Sequence, residues 1–156
     1  MQFRHFLGDP VVESESTANP IIEDFYHRYL ANENSAAFIK ETASRYTTPT
    51  LERLAEQGRR LSRRASVLAL GFLADYESNH VVGRALVDRD RGVRMLAENA
   101  IRALWCRAGS DAQQSELTTI IRMNNARQFD EAKQKAGELI DGAPWLAEAW
   151  NQRAVA

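Results

Sequence analysis

The feature that most restricts how this chain can fold is an internal repeat with a period of 31 residues. When residues 51–75 are shifted by 31 positions they align with residues 82–106, and apolar residues fall on apolar residues at helical spacing. The matched pairs include Leu51 and Val82, Leu54 and Ala85, Arg60 and Arg91, and Leu73 and Leu104. Two helices and a turn fit in such a unit, which cannot bury its apolar stripe without a neighbour. The repeat therefore predicts stacked helical hairpins.

The composition favours helices over strands. Ala and Leu supply 37 residues, whereas Val and Ile supply 15. Ala and Leu lose little conformational freedom in a helix, and β-branched residues lose more. No segment alternates apolar and polar residues with β-branched enrichment, so we predict no sheet and an all-α fold class.

Charge and cysteine content exclude several classes of protein. The 156 residues carry 20 basic and 21 acidic side chains, a net charge of -1, which excludes a polybasic protein that binds nucleic acid or anionic lipid by bulk charge. The single Cys106 excludes a disulfide framework, and we expect a buried or half-buried free thiol. No apolar run approaches the ~20 residues that span a bilayer. The N-terminus lacks the apolar core of a signal peptide, so we expect a cytoplasmic protein.

We divide the chain into four segments. These are a flexible lead-in, a pair of helices, the two repeat units and a further helical region, at residues 1–18, 19–47, 48–108 and 110–156. The first helix is predicted to begin at Asn19 and Pro20, because Asn can cap a helix and Pro fits the first turn. The second helix carries Phe38 and Tyr46 and is predicted to end near Thr47.

Three other helix ends are marked by single residues. Gly58 is predicted to end the third helix, and Asp90 to cap the helix that begins near Arg91. Ser110 with Gln113 three residues later predicts a capping box.

The second repeat unit carries a specific motif. An Asp-rich turn is followed by Val-Arg at the start of a helix, and Ala and Leu then recur at helical spacing. The residues are Asp88, Asp90, Val93, Arg94, Ala97, Ala100 and Leu104. This motif resembles a short HEAT-like repeat, and the resemblance implies a ladder in which Asp88 pairs with Arg94 or Arg63. The first unit departs from the motif, because Ser62 stands where Val is expected.

A different motif follows in the last segment. Phe129 opens a helix, Ala132 follows three positions later, and Pro144 comes twelve positions after that. Trp150 and Ala154 then stand where the next unit would place Trp and a small residue. This spacing resembles one tetratricopeptide repeat and the first helix of another.

The tetratricopeptide resemblance is incomplete at both ends. Glu116 and Ile120 stand where the first repeat would carry Trp and a small residue. The last helix would leave Trp145 and Trp150 uncovered, whereas a terminal repeat needs a polar outer face. We therefore expect the natural protein to continue with further repeats, with a capping role for the last helix as the alternative.

The two resemblances together imply an all-α right-handed superhelix, a solenoid of repeats stacked in one continuous array. They imply a non-catalytic protein–protein interaction scaffold or assembly module, with a protein or peptide partner and without cofactor, metal or catalytic residues. Partner-binding positions carried over from the tetratricopeptide family are Gln114, Leu117, Ile121, Asn124 and Asn151. The alternative is that Leu117 and Ile121 are core residues packed against the HEAT-like block.

A nucleic-acid-binding solenoid is the alternative function. Arg accounts for 17 of the 20 basic residues, and its forked donors suit phosphates. The candidate face consists of Arg59, Arg60, Arg63, Arg64, Arg94 and Arg102. Near-neutral net charge and the lack of interleaved aromatic residues argue against it. Pairing of these arginines with acids of the adjacent repeat explains them more simply.

One further cluster has a chemical and a structural interpretation. His80 lies close in sequence to Asp75 and Glu77, a combination that can handle protons. We favour a turn between helices in which Ser78 or Asn79 caps the next helix.

Overall fold

All regular secondary structure in the part of the chain that the structure describes, residues 20–156, is helical. In this computed structural model that range contains nine α-helices, a 3₁₀ turn at Tyr76–Ser78 and no strand. The helices are α1 (Ile21–Asn32), α2 (Ser35–Ala43), α3 (Thr48–Gln57), α4 (Arg60–Leu73), α5 (Asn79–Ala85), α6 (Arg91–Arg107), α7 (Asp111–Asn125), α8 (Phe129–Gly142) and α9 (Ala147–Val155). The all-α prediction is confirmed for this range, whereas the lead-in predicted for residues 1–18 lies outside it. None of these helices has the length and apolarity needed to cross a lipid bilayer.

Consecutive helices pair as hairpins. Contacts join α1 to α2, α3 to α4, α5 to α6, and α7 to α8. Equivalent helices of neighbouring hairpins also meet, as α3 does with α5, α4 with α6, and α7 with α9. The 31-residue shift carries Arg60, the first residue of α4, onto Arg91, the first residue of α6.

Several predicted helix ends are confirmed by their hydrogen bonds. Gly58 follows the last residue of α3. The Asp90 side chain accepts from the Val93 N–H at 3.0 Å, so Asp90 caps α6. Ser110 and Gln113 form both hydrogen bonds of a capping box at the start of α7.

Two helix ends differ from the prediction. Helix α1 begins at Ile21, with Pro20 as the residue before it, and Asn19 lies outside the described range. Helix α2 ends at Ala43, so Tyr46 is not helical. Tyr46 still packs on the core, and its hydroxyl accepts from the Ile22 N–H at 3.2 Å, near the start of α1. An aromatic side chain that packs on the core from a loop satisfies the same apolar pattern as one on a helix.

One apolar core joins α1 to α6. It extends from Ile22 through Phe38 and Leu70 to Leu104, all of them buried. Ser62 is also fully buried in this block, and its hydroxyl donates to the Glu23 carboxylate of α1. A hydrogen bond between α4 and α1 therefore explains why the first repeat unit has Ser where an apolar residue was expected.

A second core lies within α7, α8 and α9. Leu117, Ile120 and Leu146 are buried there, together with Ala108 from the connection after α6. A continuous array would pack α5 on α7 and α6 on α8. Instead, α6 packs on α7 and α9. The end of α6 therefore lies against the α7–α9 side of the last block, and the continuous right-handed superhelix stays a prediction at this junction.

Candidate functional site

An open groove of about 460 Å³ lies along α4 and α6. Arg107 at the end of α6 donates to the Ala74 carbonyl just beyond the end of α4, so the two helices run parallel and end together. They approach most closely where Gly71 faces Ala100, and a Cβ built at residue 71 would lie 2.9 Å from the Ala100 Cβ. These small residues form the floor of the groove, which we call the α4–α6 groove.

Larger apolar side chains form the walls of the α4–α6 groove. Helix α4 contributes Leu68 and Phe72, α6 contributes Leu96 and Ala103, and α1 contributes Tyr29. Phe72 remains 37% exposed, although its neighbours on α4 are buried. Exposed apolar surface that borders a concavity is typical of a binding site.

The aromatic residues of this groove are held by α2. The Phe38 ring lies 5.5 Å from the Tyr29 ring and 6.3 Å from the Phe72 ring, measured between centroids. Phe38 is itself only 2% exposed. A buried ring therefore supports two rings that reach the groove, so the wall is set by the core and not by mobile surface side chains.

The polar groups at the groove all lie on its α6 side, apart from the Tyr29 hydroxyl. Asn99 and Arg107 line the groove, and both are exposed. Arg102 is also exposed and lies three residues after Asn99, on the adjoining part of the same helix. These side chains offer hydrogen-bond donors and positive charge along one wall.

A buried ion pair lies at the other end of the same helices. Arg63 of α4 donates from Nε and Nη2 to the two Asp88 carboxylate oxygens, at 2.8 and 3.0 Å. Its Nη1 donates to the Gly58 carbonyl at 3.1 Å. Burial raises the pKa of Asp88, but hydrogen bonds from Arg63 and from the Asp90 N–H outweigh it and hold that pKa below its ordinary value.

A second ion pair lies beside the first. Arg64 donates from Nε and Nη2 to the Asp90 carboxylate, at 2.7 and 2.9 Å, and this holds the pKa of Asp90 at about 2. Asp90 therefore caps α6 and pairs with α4 at once. A Cβ at Gly92 would lie 2.5 Å from the Arg64 Nε, so glycine there leaves room for the guanidinium group.

The two ion pairs bear on whether Arg63 and Arg64 belong to a nucleic-acid-binding face or pair with acids of the adjacent repeat. The predicted pairing of Asp88 with Arg63 is confirmed, and Arg94 donates to the Asp88 carbonyl at 2.8 Å. Arg63 is buried and Arg64 is half-buried, each against an aspartate, so neither belongs to an open basic face. Of the other residues predicted for that face, Arg59, Arg60 and Arg102 are exposed and Arg94 is half-buried.

Of the five predicted partner-binding residues, Leu117 and Asn124 are buried, Gln114 and Ile121 are half-buried, and Asn151 is exposed. Leu117 is 1% exposed in the second core, and Ile121 packs against the same core. The Gln114 amide donates to the Arg107 and Gly109 carbonyls at the end of α6. Leu117 is therefore a core residue, and its core is that of α7 to α9 and not the block before it. The Gln114 side chain contacts the end of α6, and a partner-binding role for it stays a prediction.

The remaining two predicted positions belong to an internal polar network. Asn124 is buried and donates to the Gln152 carbonyl and side chain, both at 2.9 Å. Asn151 and Gln152 both donate to the Glu148 carboxylate, which is 3% exposed. The bonds of Asn124 join α7 to α9, whereas Asn151 is exposed and contacts Glu148 of its own helix.

The other candidate groups have structural partners. Cys106 is half-buried, and burial together with the nearby Glu148 charge raises the pKa of its thiol. The His80 Nδ1 lies 2.9 Å from the Glu77 carbonyl in the turn before α5. Neither Ser78 nor Asn79 caps α5 as predicted. Each instead joins two elements, since Ser78 donates to Glu52 and Asn79 accepts from Trp105, both at 2.7 Å.

Comparisons with known proteins give no relative for this chain. No protein-family model, no curated protein and no solved structure matches it.

Sequence reasoning missed the α4–α6 groove. Its wall residues Tyr29, Leu68 and Phe72 fit the general pattern of inward-facing apolar residues and carry no motif of their own. The signal that points to the groove is Gly71 in a helix interior, because glycine in such a position costs stability unless another backbone approaches closely.

Proposed function

We propose that this chain is a non-catalytic protein-binding module built as an α-solenoid, and that a protein partner docks in the α4–α6 groove. The observation that carries the proposal is the groove itself, with an apolar floor and walls and polar groups on the α6 side. Its volume of about 460 Å³ falls in the range of about 300–1,000 Å³ for ligand pockets, and it is open to solvent, as a docked segment requires.

Three features support a scaffold with this groove as its binding face. Hairpins stack in register through α3 to α6, which gives the groove two parallel helices as rigid walls. The Arg63–Asp88 and Arg64–Asp90 pairs fix the relative position of those helices. The polar groups at the groove are an amide, a phenol and guanidinium groups, which suit recognition by hydrogen bonding.

The proposal moves the docking site away from the positions that the tetratricopeptide resemblance implies. Leu117 and Asn124 are buried by contacts with other parts of the chain, so a partner would have to displace those contacts. Phe72 and Asn99 are exposed without any such displacement.

The test is capture of a partner with variants that fill the groove. Ala103→Arg places a long side chain on the wall of the groove, and Arg is a good helix former. Ala154→Arg, at an exposed position on α9, is the matched control. We expect the wild-type chain and the Ala154→Arg variant to retain the same partner from the native host, and the Ala103→Arg variant to lose it.

The captured protein is then purified and its binding is measured by calorimetry with the three chains. Binding of equal strength to all three would remove the groove as the docking site. The melting temperature of each variant shows that loss of binding does not come from unfolding.

A further inference from the structure

The distribution of charge around the α4–α6 groove indicates the chemistry of its occupant. Arg107 lines the α6 side of the groove, and Arg102 is exposed on the adjoining face of the same helix. No carboxylate among residues 20–156 lies within 4 Å of either guanidinium group. Arg107 donates to one backbone carbonyl, that of Ala74. Arg63 and Arg64, at the other end of the same helix pair, are each matched by an aspartate.

The groove lining contains no acidic residue to repel a negatively charged partner. Of the residues that line it, Arg107 is the charged one, and the others are apolar or aromatic apart from Asn99. A carboxylate placed beside this wall would gain a charge-assisted hydrogen bond, whereas a lysine would meet like charge.

The dimensions of the groove suit a short helix. From Leu96 to Arg107 the wall spans eleven residues of α6, about 16 Å at 1.5 Å per residue. Three turns of a partner helix cover this length and present apolar side chains at positions i, i+3 or i+4, and i+7.

We propose that the occupant of the α4–α6 groove is an acidic amphipathic helix of a partner protein. Its apolar residues contact Phe72, Leu68 and Leu96, and its carboxylates lie beside Arg102 and Arg107. The inference rests on the proposed function, because it describes the partner of the same groove.

The probe is a random library of 16-residue peptides displayed on phage. It is selected in parallel against the full-length chain and against the Ala103→Arg variant, and only sequences that depend on an open groove are analysed. We expect these sequences to carry aliphatic or aromatic residues at helical spacing and a net negative charge.

A synthetic peptide of the enriched sequence then tests the role of charge. Arg102→Glu is expected to weaken its binding by roughly fivefold or more, because repulsion replaces an attraction worth up to about 1 kcal/mol at an exposed site. Arg53→Glu makes the same charge change at an exposed position on α3 and should leave binding unchanged. Binding should also weaken as salt is raised.

The possible outcomes separate this inference from the proposed function. Groove-dependent peptides that are neutral or basic would overturn the acidic partner and leave the docking groove in place. Selection that yields no groove-dependent peptide would overturn both. A dimer in light scattering that Ala103→Arg dissolves would identify a second copy of the chain as the occupant and overturn the acidic helix.

Discussion

Arg63 and Arg84 each bridge two hairpins, but water reaches them to very different extents. The side chain of Arg63 is 5% exposed and that of its partner Asp88 is 15% exposed, whereas Arg84 and Glu56 are 64% and 34% exposed. Removing one member of a buried pair leaves the other charge without compensation. When one member of a surface pair is removed, water solvates the remaining charge, so the loss of stability is small.

We therefore expect Arg63→Ala to lower the free energy of unfolding by about 3 kcal/mol, since the half-buried Asp88 and the Gly58 carbonyl both lose their donor. Arg84→Ala, which breaks the exposed Arg84–Glu56 pair, should lower the free energy of unfolding by less than about 1 kcal/mol. Chemical denaturation measures both values. Equal losses would show that burial does not govern the strength of these pairs.

Asp90 makes the stability of the chain depend on pH in the acid range. Its pKa in the folded chain is about 2, below the ordinary value of 3.8, chiefly because of the hydrogen bonds from Arg64. A carboxyl with a lowered folded-state pKa stabilises the fold above its unfolded pKa, and the contribution is lost as pH falls through the folded value. Its contribution should therefore be complete above about pH 5 and decline toward about pH 2.

A double-mutant cycle isolates this effect. Asp90→Asn keeps an acceptor for the Val93 N–H, and Arg64→Gln removes the charge on the other side. Denaturation at a series of pH values gives the coupling free energy between the two substitutions. This coupling should be favourable at pH 6 and close to zero by pH 2. Coupling that is equally strong at pH 2 would show that the charge on Asp90 does not carry it.

At the scale of elements, the spacing of α4 and α6 depends on one glycine. Gly71 lies in the interior of α4, and a Cβ there would be 2.9 Å from the Ala100 Cβ and 3.1 Å from its Cα. Real Cβ atoms do not come so close to a neighbour, so the helices would have to move apart. Gly137 in α8 has no atom within 4 Å of the equivalent point.

The two glycines therefore predict effects of opposite sign for the same substitution. Gly137→Ala should stabilise the chain by about 0.5–1 kcal/mol, because alanine is the better helix former. Gly71→Ala should destabilise it by about 1–3 kcal/mol, because the cost of the close contact with Ala100 exceeds the gain in helix propensity. Thermal melting of the two variants beside wild type is the measurement, and a stabilising Gly71→Ala would show that α4 and α6 separate easily.

The helices were predictable from sequence where local chemistry marks their ends. Asp90 and Ser110 cap helices through side chains that lie within three residues of their partners, so spacing alone identifies them. Tyr46 was not predictable in this way, because it packs on the core from a loop and contacts the start of α1, 24 residues away in sequence. The Arg64–Asp90 pair was likewise not predictable from local spacing, because it depends on how two hairpins stack.

The groove was less predictable than the helices, because it belongs to no single repeat. Its walls come from α1, α4 and α6, and only stacking brings Tyr29 beside Leu68 and Leu96. The burial of two motif-based positions has a related reason. Leu117 packs in the core of α7 to α9, and Asn124 bonds to Gln152 of α9, and both contacts depend on how these helices pack.

At the scale of the whole molecule, the two cores divide the chain into two units of stability. Residues of the first core lie between Ile22 and Leu104, and those of the second lie between Ala108 and Ala149. The α6 helix touches both, through its contacts with α4 and α5 on one side and with α7 and α9 on the other. Stability in such stacked chains is close to a sum of unit and interface contributions, so the units can open separately.

Hydrogen exchange on a core variant of each unit tests this division. Ile120 is fully buried in the second core, and Ile120→Ala should remove about 2–5 kcal/mol there. We expect exchange to rise in α7 to α9 while α1 to α5 keep their protection, with α6 affected at its end only. Leu70→Ala, equally buried in the first core, should raise exchange in α1 to α6. If either variant raises exchange evenly from α1 to α9, the α6 junction couples the two cores into one cooperative unit, and a partner bound in the α4–α6 groove would then stabilise α7 to α9 as well.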